Sequence, residues 1–259
     1  METIRSKDGT LIACQASGQG LPLLLVHGTT DDHAMWAPVL PALEPHRRVY
    51  AMDRRGRGAT GDAHAYALER EWEDIAAVVD AMGGTVDVVA HSFGAACALE
   101  AARLTRHVRR LVLYEPPMPF GRRFWSDDRS ARVKPLVDAG EFEQILLLFY
   151  HDVLRLAPDE IAARQATPRW SAKIAAAHTI PRELQGLDGY LFQAERFTDM
   201  RTPTLLLIGG ESPPFRRSDA DILCDALPDS RIAVLPGQKH VAIQDAPDLF
   251  SREVLAFLS

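Results

Sequence analysis

Short apolar runs recur along this 259-residue chain at 10–16, 23–26, 48–52, 86–90, 108–114, 204–208 and 231–235. Several, such as L-L-L-V and T-L-L-L-I, are continuous and do not alternate with polar residues. Alternation marks a strand with one wet face. A continuous run bounded by turn residues marks a strand covered on both faces, as in a parallel sheet. Helical patterns lie between the runs, at 68–82, 93–105, 218–227 and 247–258. Strands alternating with helices over short links predict an α/β fold, a mostly parallel, doubly wound sheet with right-handed crossovers. Asp8-Gly9 is expected to turn a β-hairpin between the first two strands. A composition of 47% hydrophobic and 25% charged residues suits one large domain with a sizeable core.

Residues 116–201 break the alternation. They carry no buried-strand signature and read as helices at 129–138, 142–156, 158–165, 171–176 and 182–184. The expected organisation is a core of residues 1–116 and 201–259 with a helical cap of residues 117–200. An insertion after the strand ending at Tyr114 is expected at the carboxyl ends of the strands, where open α/β sheets place their sites. The segment is rich in aromatics. Trp125, Phe149 and Tyr150 are the candidates for an apolar substrate pocket, although packing alone would use the same residue types.

The chemistry centres on V-D-V-V-A-H-S-F-G-A, followed by the helix-like A-A-C-A-L-E-A-A-R-L. A serine on a sharp strand-to-helix turn stands clear of its own backbone, with a helix N-terminus behind it that favours developing negative charge. Ser92 is therefore the candidate nucleophile. The turn needs small residues two before and two after, here Ala90 and Gly94. Ala90 departs from the usual G-x-S-x-G. A serine hydroxyl needs a base, the base an orienting carboxylate, and the oxyanion two donors. His240, in L-P-G-Q-K-H-V-A, follows the last strand-like run and suits the chain order serine, acid, histidine. The expected oxyanion donors are the N–H of Phe93 and the N–H of Thr29 in H-G-T-T, with the Thr29 hydroxyl as a further candidate. Gly28 would allow close backbone approach, and His27 is read as a brace for that turn.

With H-G-T-T at 27–30, D-R-R-G-R-G at 53–58, A-H-S-F-G at 90–94, P-T-L-L-L-I-G-G at 203–210 and G-Q-K-H at 237–240, the chain resembles the α/β-hydrolases along nearly its whole length. The resemblance implies that Asp53 and Arg54 are structural. It also implies an acid in a G-x-x-D segment after the strand that follows the cap. Here that segment reads Gly209-Gly210-Glu211-Ser212, with serine in the acid's place. Two carboxylates remain. Glu115, in L-V-L-Y-E-P-P, ends the strand before the cap, the location used by some haloalkane dehalogenases and by the zearalenone lactonases, which this chain resembles there. Glu211 is the alternative acid. A salt bridge from Glu115 to Arg122 or Arg123 is the competing, purely structural role.

These readings predict a serine hydrolase that cleaves an ester, thioester or lactone through an acyl-enzyme on Ser92. Acyl transfer, cyclisation, carbon–carbon bond hydrolysis and a non-catalytic receptor on the same scaffold are the rivals. No metal or organic cofactor is implied. The expected partner is a small molecule with an apolar acyl or lactone part. A formal charge of −6 argues against nucleic acid or an anionic membrane as a partner. Cys14, Cys97 and Cys224, odd in number and widely spaced, suit reduced thiols in a cytoplasmic protein. The first residues carry no apolar signal-like run, and no stretch is long and apolar enough for a membrane span.

Overall fold

A computed structural model describes residues 1–63 and 65–259. Its strands are β1 (Glu2–Arg5), β2 (Leu11–Gly18), β3 (Leu21–Val26), β4 (Arg47–Met52), β5 (Val86–His91), β6 (Val108–Tyr114), β7 (Thr204–Gly209) and β8 (Ser230–Leu235). They form one sheet in the order β1-β2-β4-β3-β5-β6-β7-β8. β2 pairs antiparallel with both β1 and β4, and every pairing from β4 through to β8 is parallel. The continuous apolar runs occupy the middle: all six residues of β5 and all six of β7 are buried. The edge strand β8 is half exposed. Asp8-Gly9 turns the β1–β2 hairpin, with Gly9 at φ 92° and Asp8 Oδ1 accepting from the Thr10 N–H at 3.0 Å.

The helices are α1 (Leu40–Leu43), α2 (Leu68–Ala81), α3 (Phe93–Leu104), α4 (Asp127–Ala139), α5 (Phe142–Leu148), α6 (Pro158–Gln165), α7 (Trp170–Ala176), α8 (Ile180–Gly189), α9 (Pro214–Ala226), α10 (Ala242–Asp245) and α11 (Pro247–Leu258). α2 buries the stripe Leu68, Trp72, Ile75 and Val79, the spacing of a helix with one face on a core. α3 is buried from Phe93 to Ala102, which its run of small residues permits. α9 begins at Pro214, one turn before the sequence pattern at 218, because proline's fixed φ suits a first helical turn. Among the described residues no helix is long and apolar enough to cross a membrane.

The chain divides into two compact units. Residues 1–28, 32–118 and 192–259 hold the whole sheet and one hydrophobic core, in which Leu25, Val89, Val112 and Leu207 meet Trp36 and Phe250. Residues 29–31 and 119–191 form the second unit, built on α4–α8. These boundaries differ from the sequence reading at three places, of which the smallest is Pro117 and Met118, which go with the sheet. Residues 192–200 go with the sheet, because Phe197 is fully buried under the Arg103 guanidinium and Arg103 donates to the Arg196 carbonyl at 2.9 Å. The tripeptide 29–31 goes with the helices, because Asp31 accepts from Lys173 at 2.5 Å and from Arg169 at 3.2 Å.

Candidate active site

β5 ends at His91, and the chain turns into α3 through Ser92, whose φ of 52° and ψ of −126° belong to neither strand nor helix. The Ser92 N–H donates to the Tyr114 carbonyl at 2.9 Å, which ties the turn to the end of β6. Small residues are needed here for contact reasons. A Cβ on Gly94 would stand 2.3 Å from the His27 carbonyl oxygen, and one on Gly28 would stand 2.9 Å from Ser92 Cβ. Both distances are closer than real Cβ contacts, so the H-G turn after β3 packs against the Ser92 turn only if both residues are glycine.

His240 lies in the loop between β8 and α10. Its Nε2 is 3.0 Å from Ser92 Oγ, and its Nδ1 is 2.5 Å from Glu115 Oε2. A carboxylate only accepts, so Nδ1 carries the proton and Nε2 is left to accept from the serine hydroxyl. Glu115 follows β6 directly at φ 47° and is buried. Its Oε1 accepts from the Gly209 N–H at 2.8 Å and from the Ser212 hydroxyl at 2.5 Å. Arg216 Nε stands 3.6 Å from Oε2. Burial pushes the Glu115 carboxyl up, but the hydrogen bond and charge of His240, the Arg216 cation and the Ser212 hydroxyl outweigh it and hold the group down at about 2.

Glu211, the alternative acid, is exposed, and its N–H donates to the Gln238 carbonyl at 2.8 Å. Among the described residues, the carboxylate at His240 is that of Glu115. The serine standing where the resemblance expects the acid thus donates its hydroxyl to the carboxylate that meets His240, that of Glu115. Arg123 pairs with Asp127 and Asp188, and within the sheet unit Arg216 is a cation beside Glu115. Ser212 could be suspected from the altered G-x-x-D segment, whereas nothing in the sequence singles out Arg216.

Phe93 is the first residue of α3, so its N–H has no acceptor within its own helix. The H-G turn is braced as read: the Arg54 N–H donates to His27 Nε2 at 3.0 Å, and His27 Nδ1 lies 2.8 Å from the Gly28 carbonyl oxygen. With that carbonyl held, the trans peptide aims the following Thr29 N–H the opposite way. The Thr29 hydroxyl donates to Glu183 Oε2 at 2.8 Å within the helical unit, so its proton is already committed. Asp53 is fully buried and accepts from the His33 and Ala59 N–H groups, and the Arg54 guanidinium lies over the Phe93 ring. In the helical unit Phe149 and Tyr150 are buried with ring centroids 5.9 Å apart. Trp125, also buried, lines a groove of about 280 Å³ with Val133, Val137 and Pro181. Among the described residues no group of His, Cys, Asp and Glu side chains has the makings of a metal site.

Comparison with known proteins agrees with this fold. The chain is 36% identical to an alpha/beta hydrolase from Sphaerobacter thermophilus whose crystal structure superposes with a TM-score of 0.88, covering 100% of both chains. It is 42% identical over 103 residues to a 2-hydroxy-6-oxo-2,4-heptadienoate hydrolase from Pseudomonas putida, a match spanning 37% of this chain and 37% of that relative. Over 254 residues it is 24% identical to a 2-hydroxy-6-oxo-6-(2'-aminophenyl)hexa-2,4-dienoic acid hydrolase from Metapseudomonas resinovorans, covering 94% of this chain and 86% of that one. The model of the alpha/beta hydrolase family matches residues 23–253. On that match, which takes in the H-G turn, the Ser92 turn and the His240 loop, the chain belongs to the alpha/beta hydrolase family and is a hydrolase.

Proposed function

We propose that the chain is a serine hydrolase that cleaves a carboxylic ester, thioester or lactone through an acyl-enzyme. The observation that carries this is the unbroken line of contacts from Ser92 Oγ to His240 Nε2 at 3.0 Å and from His240 Nδ1 to Glu115 Oε2 at 2.5 Å. Ser92 Oγ attacks the carbonyl carbon while its proton passes to His240 Nε2. The oxyanion is met by the N–H groups of Phe93 and Thr29. When the carbon–oxygen bond breaks, the leaving alkoxide takes the proton from Nε2. Water then attacks the acyl-enzyme, gives its proton to Nε2, and Ser92 departs with that proton as the acid is released. Glu115 holds the tautomer and stabilises the imidazolium without itself being protonated. An acid at the strand before the helical insertion favours a subgroup like the zearalenone lactonases. Trp125, Phe149 and Tyr150 are the proposed selectors of the acyl group.

The test is covalent labelling by a fluorophosphonate, followed by a panel of p-nitrophenyl esters and lactones. Wild type should label and Ser92→Ala should not, with the fold intact. Replacing Trp125, Phe149 and Tyr150 singly by Ala should change the chain-length preference in the panel for at least one of them. Labelling that survives in Ser92→Ala overturns the mechanism. A second reading is favoured by the two hydrolases of 2-hydroxy-6-oxo-dienoates among the relatives: the same side chains would cleave a carbon–carbon bond in such a substrate. Loss of a dienoate chromophore far outpacing the release of p-nitrophenol from every ester would select it.

A further inference from the structure

Two rings outside the proton relay meet the backbone of the loop that carries His240. β5 and β6 end in register with His91 opposite Tyr114. Ser92 follows the first directly, and Glu115 follows the second. The Tyr114 hydroxyl accepts from the Ala242 N–H at 3.1 Å and donates to the Lys239 carbonyl, so it bridges the loop on both sides of His240. His91 Nε2 lies 2.8 Å from the carbonyl oxygen of His240 itself. A carbonyl only accepts, so Nε2 of His91 carries the proton. The His91 ring packs against both partners, its centroid 4.7 Å from that of His240 and 5.3 Å from that of Tyr114. Both residues are buried. Burial pushes the Tyr114 phenol well above its usual range, so its hydroxyl keeps the proton it donates.

We propose that His91 and Tyr114 are positioning residues for His240. They grip three backbone groups of its loop and so set the imidazole at once against Ser92 and Glu115. The proposal rests on the reading of those three residues as the catalytic relay. Its physical content is geometric. The loop carries Pro236 and Gly237 and is in part exposed, and a connection of that kind does not hold an imidazole in place unaided. Because each gripping ring is the residue next to another member of the relay, displacement of the strand ends moves all three members together. The two rings thus make the relay one unit where the chain has three separate segments.

The experiment uses the full chain and the variants Tyr114→Phe, His91→Leu and His91→Gln. It measures the second-order rate of fluorophosphonate labelling, kcat and KM on a p-nitrophenyl ester, and the urea midpoint. Tyr114→Phe and His91→Leu should each slow labelling and kcat by about 10- to 100-fold, the scale expected when a reacting group shifts by about 1 Å, with little change in KM. His91→Gln keeps an N–H near the place of Nε2 and should recover most of the loss. The low-field proton resonance of the His240–Glu115 pair should broaden in Tyr114→Phe and His91→Leu and return in His91→Gln. Rates that only follow the folded fraction, or a glutamine variant as slow as the leucine one, overturn the proposal. Ser92→Ala is run beside them. If it still labels, the relay reading fails. If it does not label while the Phe and Leu variants match wild type, the relay stands and the clamp alone fails.

Discussion

Glu115 and Ser92 both sit at positive φ, at 47° and 52°, directly after neighbouring strands. Non-glycine residues take such angles at a cost of about 1–3 kcal/mol and keep them where the surroundings over-determine the backbone. At Glu115 those surroundings are the Gly209 N–H, the Ser212 hydroxyl, His240 and Arg216. Glu115→Gln keeps the shape and removes the charge that stabilises an imidazolium. Activity should fall by several orders of magnitude, to the order of ~10⁴, the loss seen for the corresponding Asp→Asn change in a serine protease. Glu211→Gln should keep most of it. A stability effect follows from the same carboxylate. Its pKa is about 2 in the fold against an ordinary 4.5, so its stabilisation is full above pH ~4.5 and is lost as pH falls through about 2. The stability gap between wild type and Glu115→Gln, measured by urea unfolding, should narrow from pH 6 to pH 3, and a gap that stays constant contradicts the assignment. The departure from G-x-x-D at Ser212 is visible in the sequence and turns attention to Glu115. The Ser212–Glu115 hydrogen bond is not visible there, because it depends on how β7 lies against β6.

Among the elements, the central strands were the most legible, since β5 and β7 are buried along their whole length and read as unbroken apolar runs. The limits of β2 and β8 moved by one or two residues, where half-exposed ends blur the pattern. The one acidic residue inside β5, Asp87, has a role that no periodicity announces. Its buried carboxylate takes two hydrogen bonds from Arg109, at 2.8 and 2.5 Å, and faces Arg47 at 3.5 Å. Both guanidinium groups donate to the Leu258 carbonyl, at 2.7 and 2.8 Å, and so hold the last turn of α11. Without the Asp87 charge, two cations would share one helix end with their mutual repulsion no longer offset by that carboxylate. Asp87→Asn should cost about 3 kcal/mol, the usual loss when one partner of a buried ion pair is removed. Urea unfolding of the variant checks this, with kcat per folded molecule unchanged. A loss below about 0.5 kcal/mol, the size of a surface substitution, would show that the arginines are held by other means. His91 and Tyr114 were equally hidden, because their common grip on the His240 loop depends on the register of β5 with β6.

At the scale of the whole molecule the sequence marks the helical insertion by what it lacks, a buried strand between residues 114 and 204. It gives no sign that three residues after β3 belong with that insertion. Thr29–Asp31 joins residues 119–191 through polar groups. Lys173 Nζ is 2.5 Å and Arg169 Nη2 3.2 Å from Asp31 Oδ1, and the Thr29 hydroxyl donates to the buried Glu183. Side-chain chemistry of this kind has no period and leaves no pattern along the chain. The Asp31 and Lys173 side chains are only 11% and 10% exposed, so neither charge is well served by water. Lys173→Met should take from the carboxylate its shorter cationic contact, leave that to Arg169 in place, and lower stability by about 3 kcal/mol, the lower end of what breaking a buried pair costs. Asp31→Asn should cost a similar amount, since it strands the ammonium. The double variant carries neither charge, so its loss should be smaller than the two single losses together, a coupling of about 1–3 kcal/mol between contacting residues. Urea unfolding of the four proteins gives the coupling directly. Hydrogen exchange should locate it, with faster exchange in residues 170–189 of Lys173→Met and none in β5. Strictly additive losses would mean that Asp31 and Lys173 do not act as a pair, and that the tripeptide is held to the helices by Thr29 and Glu183 instead.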